Sequence, residues 1–114
     1  MKKFRGQIQI RFQYLESLSA RFDSAGVSLR LSTHDSYEFI NAAQWTEYDF
    51  SHAVEKGIRD GLSESDIDPD LGVQIVLESV VYDSVASTEN SFYIAAKSAA
   101  KARIMISDNR NQKR

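Results

Sequence analysis

Three aspartates at alternate positions, Asp66, Asp68 and Asp70, are the first residues in this chain whose spacing suggests chemistry. A calcium loop presents oxygen ligands at alternate positions, then a glycine at the sixth position and a glutamate at the twelfth. Counted from Asp66, those two positions hold Leu71 and Leu77, and Pro69 stiffens the loop between them. The register fails, so no metal site is expected. The two histidines, His34 and His52, are set among scattered carboxylates at no zinc spacing. His34-Asp35 could polarise a serine, but no Gly-x-Ser-x-Gly elbow supplies one. The five glycines (6, 26, 57, 61 and 72) form neither a P-loop nor a dinucleotide fingerprint. No catalytic residue, cofactor or bound nucleotide is therefore expected. Trp45, Tyr48 and Phe50 form an aromatic group that either packs into the core or stacks on a base or a partner.

The chain has 114 residues, room for one domain with a real core, and its 42% hydrophobic and 26% charged content is that of a globular protein. It contains no cysteine, which excludes disulfides and thiolate metal sites. Its apolar runs fall far short of the roughly 20 residues that span a bilayer, so no membrane partner is expected. Met1-Lys2-Lys3-Phe4-Arg5 has no apolar block after it, so a cytoplasmic location is expected rather than secretion. Charge is unevenly spread: residues 1–30 carry six basic and two acidic side chains, residues 31–96 two and thirteen, and residues 97–114 six and one. The basic ends are either solvated surface or a patch for phosphate or an acidic partner. The acidic centre argues against a surface that binds nucleic acid all over.

The elements follow from periodicity. Residues 7–12 alternate polar and apolar as a half-buried strand, and 13–26 read as irregular. Val27, Leu29 and Leu31 mark a second strand, and the turn at 33–36 leads to a third at 37–41, expected to pair with the second as a hairpin. Thr46 and Asp49 have the spacing of a capping box for a helix over about 47–62, whose inner stripe holds Phe50, Val54, Gly57, Ile58 and Gly61. After an acidic loop at 63–72, Val73, Ile75, Leu77 and Val81 mark a long strand over 73–82. Ser87 or Thr88 can cap a second helix over 88–106, with Phe92, Ala95, Ala96, Ala99, Arg103 and Ile106 on one face. Its alanines match the glycines of the first helix and predict a close approach. Residues 107–114 read as a disordered basic tail after a single domain at 1–106. The order βββαβα predicts an α+β fold, a four-stranded mixed sheet with both helices on one face.

Segments of this pattern resemble the fourth domain of translation elongation factor G. That family runs an apolar strand into Tyr-His, then Asp-Val-Asp-Ser-Ser-Glu, then a helix with a phenylalanine and paired alanines. Here the run is Tyr82-Asp83, then Ser84-Val85-Ala86-Ser87-Thr88-Glu89, then Asn90-Ser91-Phe92-Tyr93-Ile94-Ala95-Ala96. Upstream, Ala53-Val54-Glu55-Lys56-Gly57-Ile58 is similar to the family's Ala-Val-Glu-Lys-Gly-Ile helix, and Tyr37-Glu38-Phe39-Ile40-Asn41 to its Phe-Glu-Phe-Val-Asn strand. Segments 27–31, 37–62 and 73–104 keep the family's order.

The resemblance implies the fold of the second domain of ribosomal protein S-five, with one left-handed βαβ crossover against the usual preference. It implies a non-catalytic module whose tip reaches the decoding centre, since the GTPase of those factors resides in another domain. The tip elements map to Ser24, Ala25 and Gly26, and to Tyr82, Asp83, Ser84, Val85 and Ser87. The departures fall on the same elements. Asp83 replaces the family's tip histidine, Ser84 and Ala86 replace its acidic positions, and its Leu-Ala-Gly-Tyr-Pro before the last strand is missing. An aspartate facing RNA phosphates is repelled unless a metal or a base donor intervenes. Two partners are therefore expected: the ribosome or RNA, if the module is translation-associated, or a protein or a second copy, if the scaffold has been reused.

Overall fold

A computed structural model describes residues 1–18, 21–83 and 85–112, apart from the side chains of 17, 18, 21, 22 and 102–112. The elements are β1 (Gln7–Leu18), β2 (Arg21–Ser32), β3 (Tyr37–Asn41), α1 (Ser51–Glu64), a 3₁₀ turn at Pro69–Leu71, β4 (Val73–Val81) and α2 (Glu89–Gln112). The strands form one mixed sheet in the order β1-β2-β4-β3, and the fold is α+β with two helices.

One face of the sheet is apolar because the strands are in phase. Ile10 opposes Leu29, Phe12 opposes Val27, Leu29 opposes Leu77, and Leu31 opposes Ile75, which is itself opposed by Phe39. Val54, Ile58 and Leu62 of α1 and Phe92, Ala95, Ala96, Ala99 and Ala100 of α2 complete this core. Burying each large aliphatic side chain of this set stabilises by about 1.5–3 kcal/mol.

The strand pairing departs from the sequence reading in three places. First, β3 does not form a hairpin with β2; it pairs in parallel with β4, and β4 takes the edge of β2. Alternation dictates which face a strand buries, not which strand lies beside it. Second, residues 13–26 are not irregular. They continue β1 and β2 as a hairpin whose register is unbroken from Gln7↔Ser32 to Leu18↔Arg21. Third, Val81 does not join the inner face. The register steps from Ser28↔Ser79 to Leu29↔Leu77, a bulge that leaves Glu78 without an opposed partner. Beyond it the phase flips, so Val80 and Tyr82 pack on the core and Val81 stands 58% exposed on the outer face.

The helix boundaries differ too. Thr46 and Asp49 make no capping box: α1 starts at Ser51, and Asp49 Oδ1 instead accepts from the Ser51 N–H at 2.8 Å. At α2, Thr88 is the cap. Its Oγ1 accepts from Ser91 N at 3.0 Å while Ser91 Oγ accepts from Thr88 N at 2.8 Å, a reciprocal box with serine in the third position. The helix then runs past 106 to Gln112, through a stretch with neither glycine nor proline to stop it, where the sequence suggested a tail over 107–114.

Gly57 and Gly61 set the distance between the helices. A Cβ on Gly57 would lie 2.5 Å from Tyr93 O and 3.0 Å from the Ala96 Cβ; one on Gly61 would lie 2.8 Å from Lys97 O and 3.0 Å from the Ala100 Cβ. The order of these contacts also shows that α1 and α2 run parallel. Gly57→Ala improves intrinsic helix propensity by about 1 kcal/mol, but it drives a methyl into a backbone carbonyl, and overpacking costs about 1–3 kcal/mol. The clash wins. Because the atom met at 2.5 Å is backbone and cannot swing aside, the cost lies at the upper end, and Gly57→Ala is expected to lower stability by about 2 kcal/mol in urea unfolding; a variant as stable as the parent would refute the close approach.

Candidate binding tip

Residues expected at a tip fall together at one end of the molecule. β4 stops at Val81 opposite Gly26, so beyond that pair the β1–β2 hairpin continues as a two-stranded ribbon. The loop after β4 bends over and is fastened to β2 at Ser24. Ser24 N donates to Ala86 O at 3.1 Å, and Ser87 Oγ donates to Ser24 O at 2.7 Å.

Asp83 organises the loop itself. Its Oδ1 accepts from Val85 N at 2.8 Å and from Ala86 N at 2.9 Å. Its own N–H donates to Ser87 Oγ at 2.9 Å, and Ser87 N returns a bond to Asp83 O at 2.8 Å. The amides of Ala86 and then Val85 stabilise the anion and hold its pKa below the ordinary carboxylate value. The carboxylate that replaces a histidine in the resemblance is thus a loop-closing acceptor.

An aromatic group supports the loop from the helix side. Tyr82 stacks at 6.0 Å on Phe50 and at 6.4 Å on Phe92, and Trp45 meets the Phe92 ring edge-on at 5.1 Å. Trp45 Nε1 donates to Asn41 Oδ1 at 3.2 Å, which ties the end of β3 to this group. Desolvation, followed by the nearby Glu47, raises the Tyr82 hydroxyl pKa.

Most of the anticipated tip residues face inward. Ala25, Ser24 and Ser87 are buried, Gly26 lies beneath the Val81 side chain, and Tyr82 is half-buried. Ser84 lies outside the described residues. Val85 alone among them is a prominent free side chain, 92% exposed. Three others at this end were not singled out as tip residues: Tyr48 at 64% exposure, Val81 at 58% and Leu15 at 56%. A signal existed for Leu15, the one apolar residue in the otherwise polar series Gln7, Gln9, Arg11, Gln13. The segments that meet at this end carry exposed carboxylates at Glu47, Asp49, Asp83 and Glu89. Neither 42–50 nor 82–92 contains a lysine or arginine.

Elsewhere the chemistry-bearing groups are engaged in structural contacts. Asp68 accepts from Asp70 N at the 3₁₀ turn, Asp70 pairs with Arg59 at 3.0 Å, and Asp66 faces the N-terminal ammonium at 4.0 Å. His34 Nδ1 lies 2.9 Å from Ser36 O. An open groove of about 470 Å³, lined by Ala53, Lys56, Glu89, Asn90 and Tyr93, runs between the starts of the helices. Beside it the Tyr93 hydroxyl donates to Asp60 at 2.5 Å, which lowers the Asp60 pKa.

No family model matches this chain, and no curated protein was found similar to it. A solved structure of a Thermus thermophilus protein shares the fold: TM-score 0.78 at 21% identity, over 88% of this chain. The matched region is 16% of that chain's length.

A depressed Asp83 pKa means that the folded loop prefers the anion. Its stabilisation is present above the unfolded aspartate pKa of about 3.9 and is lost as pH falls through the lower folded value. Hydrogen exchange is the direct readout. Protection of the Val85 and Ala86 amides should persist through the ordinary carboxylate range and disappear only at more acidic pH. In Asp83→Ala it should be missing at every pH; retained protection would show that the carboxylate does not close the loop.

Proposed function

We propose that this domain is a non-catalytic binding module that engages its partner through the tip, in association with the ribosome or the translation machinery. The setting comes from the resemblance to the fourth domain of elongation factor G. A shared strand and helix order across 27–104 supports it, as does a loop between β4 and α2 fastened onto β2. The observation that carries the mode of action is the tip itself: a pre-closed loop presenting Val85, with Tyr48, Val81 and Leu15 exposed at the same end of the molecule. Because Asp83 already binds two amides, the loop reaches a partner without first being ordered, which lowers the entropic cost of association.

One observation favours a protein-interaction reading within or beyond that setting. In 42–50 and 82–92 the exposed charges among the described residues are all anionic, and phosphates are repelled by such charges. A protein partner offering apolar side chains and cations matches such a tip better than bare RNA does.

Co-sedimentation of the chain with purified ribosomal subunits over a salt series tests both parts. Association is expected at low salt and should weaken by tenfold or more in Val85→Glu, in line with the roughly 1–2 kcal/mol or more that a central exposed anchor contributes. No association even at low salt would sink the ribosomal setting. Association that Val85→Glu leaves unchanged would sink the tip as the contact.

A further inference from the structure

β1 is the outermost strand of the sheet, with β2 on one side and, among the described residues, no strand on the other. The ladder tells which of its backbone groups are engaged. Thr33 N donates to Gly6 O at 2.9 Å across the pair that continues the β1–β2 register. An antiparallel ladder repeats such a bonded pair at every second residue. The even residues Ile8, Ile10, Phe12, Tyr14 and Glu16 therefore turn N–H and C=O toward β2. Ser24 gives the same phase from the far side of β2, since its N–H and C=O both go to the 82–88 loop. The odd residues Gln7, Gln9, Arg11, Gln13 and Leu15 then aim their N–H and C=O out of the sheet.

Edge strands are ordinarily blunted by proline, a bulge, short length or an inward-pointing charge. β1 is twelve residues long, contains no proline and pairs with β2 without a bulge. Its one charge on the core-facing parity, Glu16, is bonded by the Tyr14 hydroxyl. Ile8, Phe12 and Tyr14 are only partly buried although they pack against the core, so the core is open along this flank.

We propose that β1 pairs antiparallel with β1 of a second copy about a twofold axis at Phe12, joining two sheets into one. This surface shares only Leu15 with the tip and does not rest on the functional reading above. The charges choose the register. An axis at Arg11 would set two guanidiniums against each other, and an axis at Gln13 would lay each Arg11 guanidinium against the apolar Leu15. An axis at Phe12 opposes Phe12 with Phe12, Ile10 with Tyr14, Ile8 with Glu16, Gln9 with Leu15 and Arg11 with Gln13, so no like charges meet. It also places the apolar even residues in the non-bonded pairs, where side chains come closest. Residues 7–17 take part, an edge about 37 Å long at about 3.4 Å per residue. A single seam of that length lies toward the low end of the roughly 1,200 Å² that stable association requires. The dimer is accordingly a weak and reversible one.

Sedimentation equilibrium of the full chain from low micromolar to near-millimolar concentration reads this directly. Gln13→Glu puts a carboxylate opposite the partner's Arg11 twice in each dimer and should tighten it about threefold to tenfold; Gln13→Lys should weaken it by a similar factor. Gln13→Pro removes an outward N–H that β2 does not use and should give a monomer with unchanged far-ultraviolet circular dichroism. If the proline variant fails to fold, the two charge variants still decide. A parent chain that stays monomeric throughout overturns the proposal. A dimer that Gln13→Glu loosens, or that neither charge variant shifts, overturns this edge and register. Loss of ribosome association would leave all of these outcomes untouched.

Discussion

The close approach of α1 and α2 through Gly57 and Gly61 governs how the rest of the chain is arranged. A four-stranded sheet with one apolar face needs cover across its whole width. α2 lies over β1 and β2, while α1 reaches β3, where the Tyr37 hydroxyl donates to Glu55 at 2.6 Å and Arg59 stacks on the Tyr37 ring at 4.5 Å. Because the helices are parallel, both begin at the same end. β3 and β4 also run together, so both finish at that end. The connections 42–50 and 82–88 and the end of the β1–β2 hairpin are thereby gathered in one place. The tip is a consequence of parallel helix packing.

Much of this was legible in the sequence, since it rested on period and size. The alternation at 7–12, 27–31, 37–41 and 73–77 identified strands and their inner faces, and the glycine and alanine spacings identified the helix contact. What escaped was relational. The neighbour of β3 is decided by where α1 returns the chain. The strand character of 21–26 is concealed by Asp23, Ser24 and Gly26, residues of low β-propensity that are held extended by pairing on both sides. The bulge at Glu78 is likewise silent in the sequence, although it decides that Tyr82 faces inward and Val81 outward.

The candidate site was legible in location and less so in role. Residue types show what a side chain can donate or accept, but not whether its capacity is already taken. Asp83 looked like a free anion facing a partner, whereas the amides of Val85 and Ala86 turn it into part of the backbone's own hydrogen bonding. Ser87 looked like a helix cap; it bridges the loop backbone to β2 while Thr88 and Ser91 cap α2. Tyr48 keeps to the aromatic group, its ring centroid 6.1 Å from that of Phe50, yet alone of Trp45, Tyr48 and Phe50 it stays largely exposed.

The acidity of the tip has a source in the fold that is independent of any partner. Two helix N-termini point their unpaired amides and the positive ends of their dipoles at the same corner. Asp49 accepts the first amide of α1, Glu89 stands in the first turn of α2, and Asp83 accepts two amides of the loop that precedes it. Each anion offsets positive potential that parallel packing has concentrated there. Substituting them by cations to suit a phosphate partner would therefore act against the helices themselves, not only against loop closure. The apolar side chains are under no such constraint: Val85 and Tyr48 project from this corner largely into solvent, where changing them leaves the caps and the core intact. On the binding role proposed above, specificity would rest with the apolar groups of the tip, on a background of negative charge that the fold itself maintains.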